Sequence, residues 1–215
     1  GCLLLSVLWT AFTTKEYPPE EYAQYHDLDS DKPKIKTSFM QLLKETPPTM
    51  IKLGIVQFFS WFALFMMWVY TTSGIAGNVW HTAATDSTSA AFNEAGNWVG
   101  VIFAAYSLFA AIYAMFMTKL ANKFGRKSVY MWSLMLGGIG LLSMVFIHDK
   151  YLLLISMLGI GIAWAAILAM PYAILSAVLP ADKMGVYMGI FNATITIPQI
   201  AAGILGGVIL SLVGG

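Results

Sequence analysis

Six residues near the end of the chain, Gly185, Gly189, Asn192, Thr196, Gln199 and Gly203, follow one another at spacings of 4, 3, 4, 3 and 4. At about 100° per residue, this spacing gathers them into an arc of roughly 80° on one side of a helix. Two amides and a hydroxyl on one face offer neutral hydrogen bonds to a polar solute. The same pattern also suits close helix packing, because small residues let backbones approach and amides bond across an interface. Pro198 lies inside the stretch and removes one N–H, which predicts a kink beside Gln199. Such breaks are tolerated where the backbone is buried in protein or lines a cavity. The opposite face, with Ile190, Ile197, Leu205 and Val208, suits lipid or apolar packing.

A second stripe joins Gln57, Trp61, Leu64, Trp68 and Thr71 on one helical face. Indole rings beside amide donors are what a sugar site needs, since the apolar face of a pyranose stacks on an aromatic ring while its hydroxyls bond polar groups. The alternative is that Trp61 and Trp68 fill core volume or sit toward an interface. Trp164 and Tyr172, near Pro171, and the pair Tyr106 and Tyr113 read either as packing or as further wall of the same cavity. The signatures of hydrolases, metalloproteases and nucleotide binding are missing, as is any cluster of His, Cys or carboxylate within an apolar segment. No enzyme, catalytic residue, metal site or cofactor is expected, and no nucleic-acid partner. Asn192-Ala193-Thr194 matches a glycosylation triplet formally, but it lies in the middle of an apolar segment where no glycan can be attached.

The elements that must carry these residues are membrane helices. The chain is 58% hydrophobic and 11% charged, against about 25% charged in an ordinary soluble domain. A bilayer core needs roughly 20 apolar residues per helix, and charge-free runs of that length fall at 54–73, 98–118, 128–147, 151–179 and 185–213. The run GCLLLSVLWTAF is too short to cross. It lacks a Met and a basic flank, so it reads as the end of a longer span and the chain as a fragment. Cys2 is the single cysteine, which excludes an internal disulfide.

Basic residues in short loops orient a membrane protein. Lys15, Lys32, Lys34, Lys36, Lys44 and Lys52 precede the first full span; Lys119, Lys123, Arg126 and Lys127 fall between the second and third, and Lys183 between the fourth and fifth. With alternating spans these share one side, which is then cytoplasmic, and Lys150 alone lies opposite. Segment 74–97, flanked by Trp80 and Trp98, is external. Stretch 15–50, rich in Lys, acids and Pro, reads as a linker. Within it Ser38 and Gln41 form a capping-box pattern, with Phe39, Leu42 and Leu43 on one side, predicting a short surface helix near 38–45. Thr46 before Pro47 is the expected cap of the first full span.

LANKFGRKS at 120–128 resembles the conserved loop G-x-x-x-D-x-x-G-R-K of the major facilitator superfamily, matching at Gly125, Arg126 and Lys127, with Thr118 and Asn122 replacing the first Gly and the acid. FFSWFALFMMWVY at 58–70, FNEAGNWVG at 92–100, MPYAIL at 170–175, GVYMGIFN at 185–192 and IPQ at 197–199 are similar to the second half of the sucrose-transporter-like and glycoside-pentoside-hexuronide cation symporters. That resemblance implies an all-α membrane protein, part of a twelve-helix fold in two halves, with a sugar bound between them near the midplane. Residues 1–14 would be the end of span six, 15–50 the linker between halves, and 51–215 a partial second transmembrane domain holding spans seven to eleven.

The implied activity is cation-coupled sugar uptake, driven by protons, in a multi-pass protein of a cell membrane such as a bacterial inner membrane. Its partners would be the sugar, the coupling cation, the lipid bilayer and a missing first half supplying the coupling acid. Gln57, Trp61, Trp68, Asn192, Thr196 and Gln199 would contact substrate, and Asn122, Gly125, Arg126 and Lys127 would gate the cytoplasmic side. Thr71, Thr72 and Ser73 stand where plant sucrose carriers tend to have acids, which favours a different glycoside. The alternatives are an exporter of the same fold and a receptor that has lost transport.

Overall fold

The computed structural model describes residues 2–14, 39–83, 86–180 and 183–213, with side chains for 4–14, 40–83, 86–180 and 183–208. The chain divides into two units, Gly1–Lys44 and Glu45–Gly215. The first contains α1 (Cys2–Thr13) and the short α2 (Phe39–Lys44). The helix expected near 38–45 is therefore present over 39–44, while Ser38, its expected cap, lies outside the described residues, as does most of the linker.

The second unit consists of α3 (Pro48–Trp80), α4 (Ala90–Phe124), α5 (Arg126–Phe146), α6 (Leu153–Leu175) and α7 (Met184–Val213). All five are long and apolar enough to cross a membrane. A peptide group in hydrocarbon has no water to bond, so a helix that satisfies its own backbone is the available answer. α3, at 33 residues, and α4, at 35, outrun their charge-free windows. At about 1.5 Å per residue each extends roughly 50 Å, beyond the hydrocarbon slab of about 30 Å.

Local chemistry sets the ends. α3 has Pro47 at its N-cap and Pro48 in its first turn. This moves the start one residue past the expected Thr46 cap, because a second proline fits the first turn as well as the first one did. His81 closes the helix in the left-handed region at φ 52°. Ser89 caps α4 by accepting from the Phe92 N–H at 3.1 Å. Gly125, at φ 85°, is the whole connection between α4 and α5, a backbone conformation that favours glycine. α7 continues as helix through Pro198, which is fully buried.

α5 and α6 pack most closely. A Cβ built on Gly140 would lie 2.6 Å from the Ser156 carbonyl oxygen, and those on Gly137 and Gly159 would collide with Ala163 and with the Leu136 carbonyl. Glycine lets the backbones touch, and with lipid outside, that contact is what favours association. The Ser143 and Ser156 hydroxyls meet across the same seam at 2.7 Å. Gly161 similarly seats α6 against the Tyr106 backbone of α4. α6 is thus central, with 56% of its apolar window buried against 17% for α7. α3 pairs chiefly with α7, where Gly206 faces the Tyr70 ring, and touches α5 and α6 less extensively.

Gly140→Val should overfill the α5–α6 seam and cost about 1–3 kcal/mol. Gly138→Val, whose Cβ meets nothing within 4 Å, should leave stability unchanged. Thermal denaturation of the full-length gene product in detergent separates the two, and equal midpoints would contradict this packing.

Candidate solute-binding site

The residues of the two stripes go to different environments. On α3, Gln57 is 0% exposed and Trp61 8%, both turned into the bundle, while Trp68 is half-buried. Thr71, also buried, donates to the Met67 carbonyl one turn back at 2.5 Å. On α7, Asn192 and Thr196 are exposed and Gln199 is half-buried.

Three tryptophans meet where α3 faces α6. Trp61 and Trp68 pack edge-to-face at 6.2 Å, and Trp164 of α6 lies 5.5 Å from Trp61 and 5.3 Å from Trp68. Such offset contacts satisfy the ring quadrupoles and fix ring orientation. Trp68 is further held by Tyr106 of α4, whose hydroxyl accepts from the indole Nε1 at 3.1 Å. Beneath this cluster, Tyr130 of α5 donates to Gln57 Oε1 at 2.9 Å. Gln57 Nε2 and Trp61 Nε1 are buried and find no hydrogen-bond partner among the described residues.

Trp164, Leu168 and Tyr172 follow at four-residue spacing on α6, and all three are at least partly exposed. The Tyr172 hydroxyl donates to Asn192 Oδ1 at 2.8 Å, and the Tyr172 ring packs edge-to-face on Phe191 at 5.8 Å. This links the α6 aromatics to the amide stripe of α7. The stripe lies roughly 120° around α7 from the residues that pack inward, Tyr187, Phe191, Pro198 and Ala202. A Cβ on Gly185 or Gly189 would meet nothing within 4 Å, and one on Gly203 only the Phe65 ring at 3.9 Å. The small residues of the stripe therefore make no close helix contact among the described residues. Ile197, Leu205 and Val208 are exposed on the remaining apolar side.

At the end of the bundle carrying Gly125, Asn122, Gly125, Arg126 and Lys127 are exposed. Arg126 donates through Nη1 to the Ala173 carbonyl, one of the acceptors left over in the last turn of α6. The opposite end is bound differently. Asn78 Nδ2 caps the end of α5, donating to the Ile147 carbonyl at 3.0 Å and the Met144 carbonyl at 3.3 Å. Lys150 pairs with Glu94 at 3.3 Å and lies over the rings of Trp98 and Tyr151 at 5.5 Å each. Lys150 thus has both a counter-ion and aromatic faces.

Five apolar spans around a neutral aromatic and amide wall, with a Gly-Arg-Lys turn joining α4 to α5, place the molecule among membrane carriers. The family model of the Major Facilitator Superfamily matches residues 53–215. The chain belongs to the major facilitator superfamily. As a superfamily member it is a multi-pass membrane transporter, all-helical, with α3–α7 as part of that fold. Comparison with curated proteins and with solved structures gives no match. The superfamily's alternating-access architecture places solutes at the midplane. Trp61 and Trp164 lie near the middle of α3 and α6, while Gln57 and Asn192 lie nearer the ends of α3 and α7 on the Gly125 side.

Sequence reasoning missed Tyr130 as a partner of Gln57 and left Trp164 and Tyr172 open between packing and cavity wall. No spacing along one helix signals a contact with another. In a cysteine-free background of the full-length transporter, Asn192→Cys and Thr196→Cys should react readily with a water-soluble maleimide. Ile197→Cys and Gln57→Cys should react slowly. Equal rates at Thr196→Cys and Ile197→Cys would show that the stripe does not face water.

Proposed function

We propose that this transporter is a cation-coupled sugar symporter, driven by protons and carrying a disaccharide or another glycoside. The observation that carries the reading is the chemistry of the wall. Trp68, Trp164 and Tyr172 present partly exposed rings, Asn192, Thr196 and Gln199 present neutral polar groups, and the charge-free windows contain no Asp, Glu, Lys, Arg or His. Rings beside uncharged hydrogen-bonding groups match a solute with an apolar face and a rim of hydroxyls. An ionisable group in a membrane span ordinarily marks an ion pathway, so on this reading the coupling carboxylate belongs to the other half of the superfamily fold.

Transport would proceed by rocking of the two halves about the sugar. Arg126, bonded to the end of α6, would hold the Gly125 end of this half together as it moves, with that end on the cytoplasmic side. Sugar contacts would be shared between the halves, Asn192 and Gln199 contributing from α7.

Uptake of labelled maltose, sucrose and other glycosides by cells expressing the full-length gene tests the proposal. Accumulation should occur and should collapse with a protonophore, and no accumulation of any sugar would refute it. Gln199→Ala and Asn192→Ala should each weaken uptake by roughly tenfold, the worth of one hydrogen bond to substrate, without loss of expression. Unchanged transport with reduced thermal stability would assign both amides to packing instead.

A further inference from the structure

We propose that Tyr130 is a positioning residue that turns the Gln57 amide into a pure donor, so that Gln57 Nε2 and Trp61 Nε1 together recognise an oxygen acceptor on the solute. The inference rests on the sugar reading and specifies it: the recognised group is a hydroxyl or ring oxygen.

A carboxamide has a donating and an accepting end, and its neighbours decide which one is offered. Here the Tyr130 hydroxyl donates to Gln57 Oε1 at 2.9 Å. The Ser60 hydroxyl, one turn along α3 from Gln57, is committed to the Val56 carbonyl at 2.8 Å and donates there. The carbonyl end of Gln57 is thus engaged and the NH₂ end left over. Gln57 is 0% exposed and, among the described residues, its Nε2 has no partner; Trp61, four residues on, is 8% exposed and its Nε1 has none there either. Four residues is one helical turn, with Cβ atoms about 5–6 Å apart. The two donors can therefore serve one oxygen or two adjacent ones.

Buried polar groups are almost always satisfied, and in a membrane interior an unsatisfied donor is costly. Two of them one turn apart on one face, the covered side-chain polar atoms left over among the described residues, form a site short of an acceptor. An indole N–H and an amide NH₂ cannot accept a hydrogen bond, so an ammonium or guanidinium finds no acceptor in this pair, whereas a neutral oxygen finds two donors. The aromatic surface next to them, Trp61 against Trp68 and Trp164 at 5.3–6.2 Å, suits the C–H face of the ring that carries the oxygen.

Access requires α3 to move, since both donors are covered. The seam between α3 and the α5–α6 pair leaves room for that. A groove of about 220 Å³ runs along it, lined by Ser60 and Leu64 of α3, Leu134 and Gly137 of α5, and Ile160 and Ala163 of α6. The α5–α6 seam is instead closed by backbone contact at Gly140 and Gly159.

The test is uptake by the full-length transporter of a carried glycoside and of its monodeoxy and monodeoxyfluoro analogues, compared between wild type, Gln57→Leu, Trp61→Phe and Tyr130→Phe. Fluorine keeps a weak acceptor, while a deoxy position has none. At one oxygen of the sugar, the wild type should take the fluoro analogue within a few-fold of the parent and lose roughly tenfold or more on the deoxy analogue. Gln57→Leu and Trp61→Phe should raise KM for the parent and erase that difference. Tyr130→Phe should shrink it through a higher KM for the parent and the fluoro analogue, whereas loss of packing would lower Vmax for every analogue alike. If glycosides are carried but the variants lower Vmax for every analogue alike, the donors serve an internal water or the fold, and the proposal fails while the sugar reading stands. If Tyr130→Phe does not fold, the other two variants still decide. If no glycoside is carried, the sugar reading fails first and this proposal with it.

Discussion

Hydrocarbon offers nothing to a peptide N–H or C=O, and the architecture follows from meeting that demand. Each of α3 to α7 satisfies its backbone along its own length, and the leftover groups at helix ends are met by side chains from elsewhere. Asn78 at the end of α3 bonds the final carbonyls of α5, and Arg126 at the start of α5 bonds the Ala173 carbonyl near the end of α6. The caps are therefore also ties between helices. The two ends of the bundle are bound by these ties, and the middle depends on packing with a few single hydrogen bonds between helices.

In the middle, attraction between apolar surfaces is no stronger than attraction to lipid, so shape decides. Glycines 137, 140 and 159 bring α5 and α6 into backbone contact, and Gly161 seats α6 on α4. α3 and α7 have fewer such fits, and the polar and aromatic side chains that α3 turns inward meet partners singly: Gln57 with Tyr130, Trp68 with Tyr106, and Trp61 with Trp164. A transporter needs one part that is rigid and one that can shift. Glycine-locked helices beside a helix joined by separable hydrogen bonds and ring contacts supply both within these five helices.

Hydroxyls in the spans show how little of the polar content is free for a solute. Ser107, Ser133 and Thr194 each donate to a carbonyl three or four residues back, and Ser60 and Thr71 do the same. This local bond is available to any helical Ser or Thr. Amides and indoles reach further than hydroxyls and meet partners on other helices, as Gln57 does with Tyr130, Asn192 with Tyr172 and Trp68 with Tyr106.

Much of the fold was legible in sequence. Charge-free runs marked all five spans, because burial in lipid forbids charge without regard to which helix lies beside which. Helical periodicity also placed Asn192, Thr196 and Gln199 on one stripe and Gln57, Trp61 and Trp68 on another, since the angle between two residues of one helix depends only on their spacing. What sequence did not provide was the rotation of each helix relative to its neighbours. That rotation decided that Gln57 points inward to Tyr130 while Asn192 stays open and bonded to Tyr172, that Trp164 completes a cluster with Trp61 and Trp68, and that Gly206 and not the glycines of the stripe sits at a close contact. The α7 stripe and the α3 stripe looked alike on a helical projection. Only the tertiary structure separated an exposed face from a sealed one, because burial belongs to pairs of helices and periodicity to one.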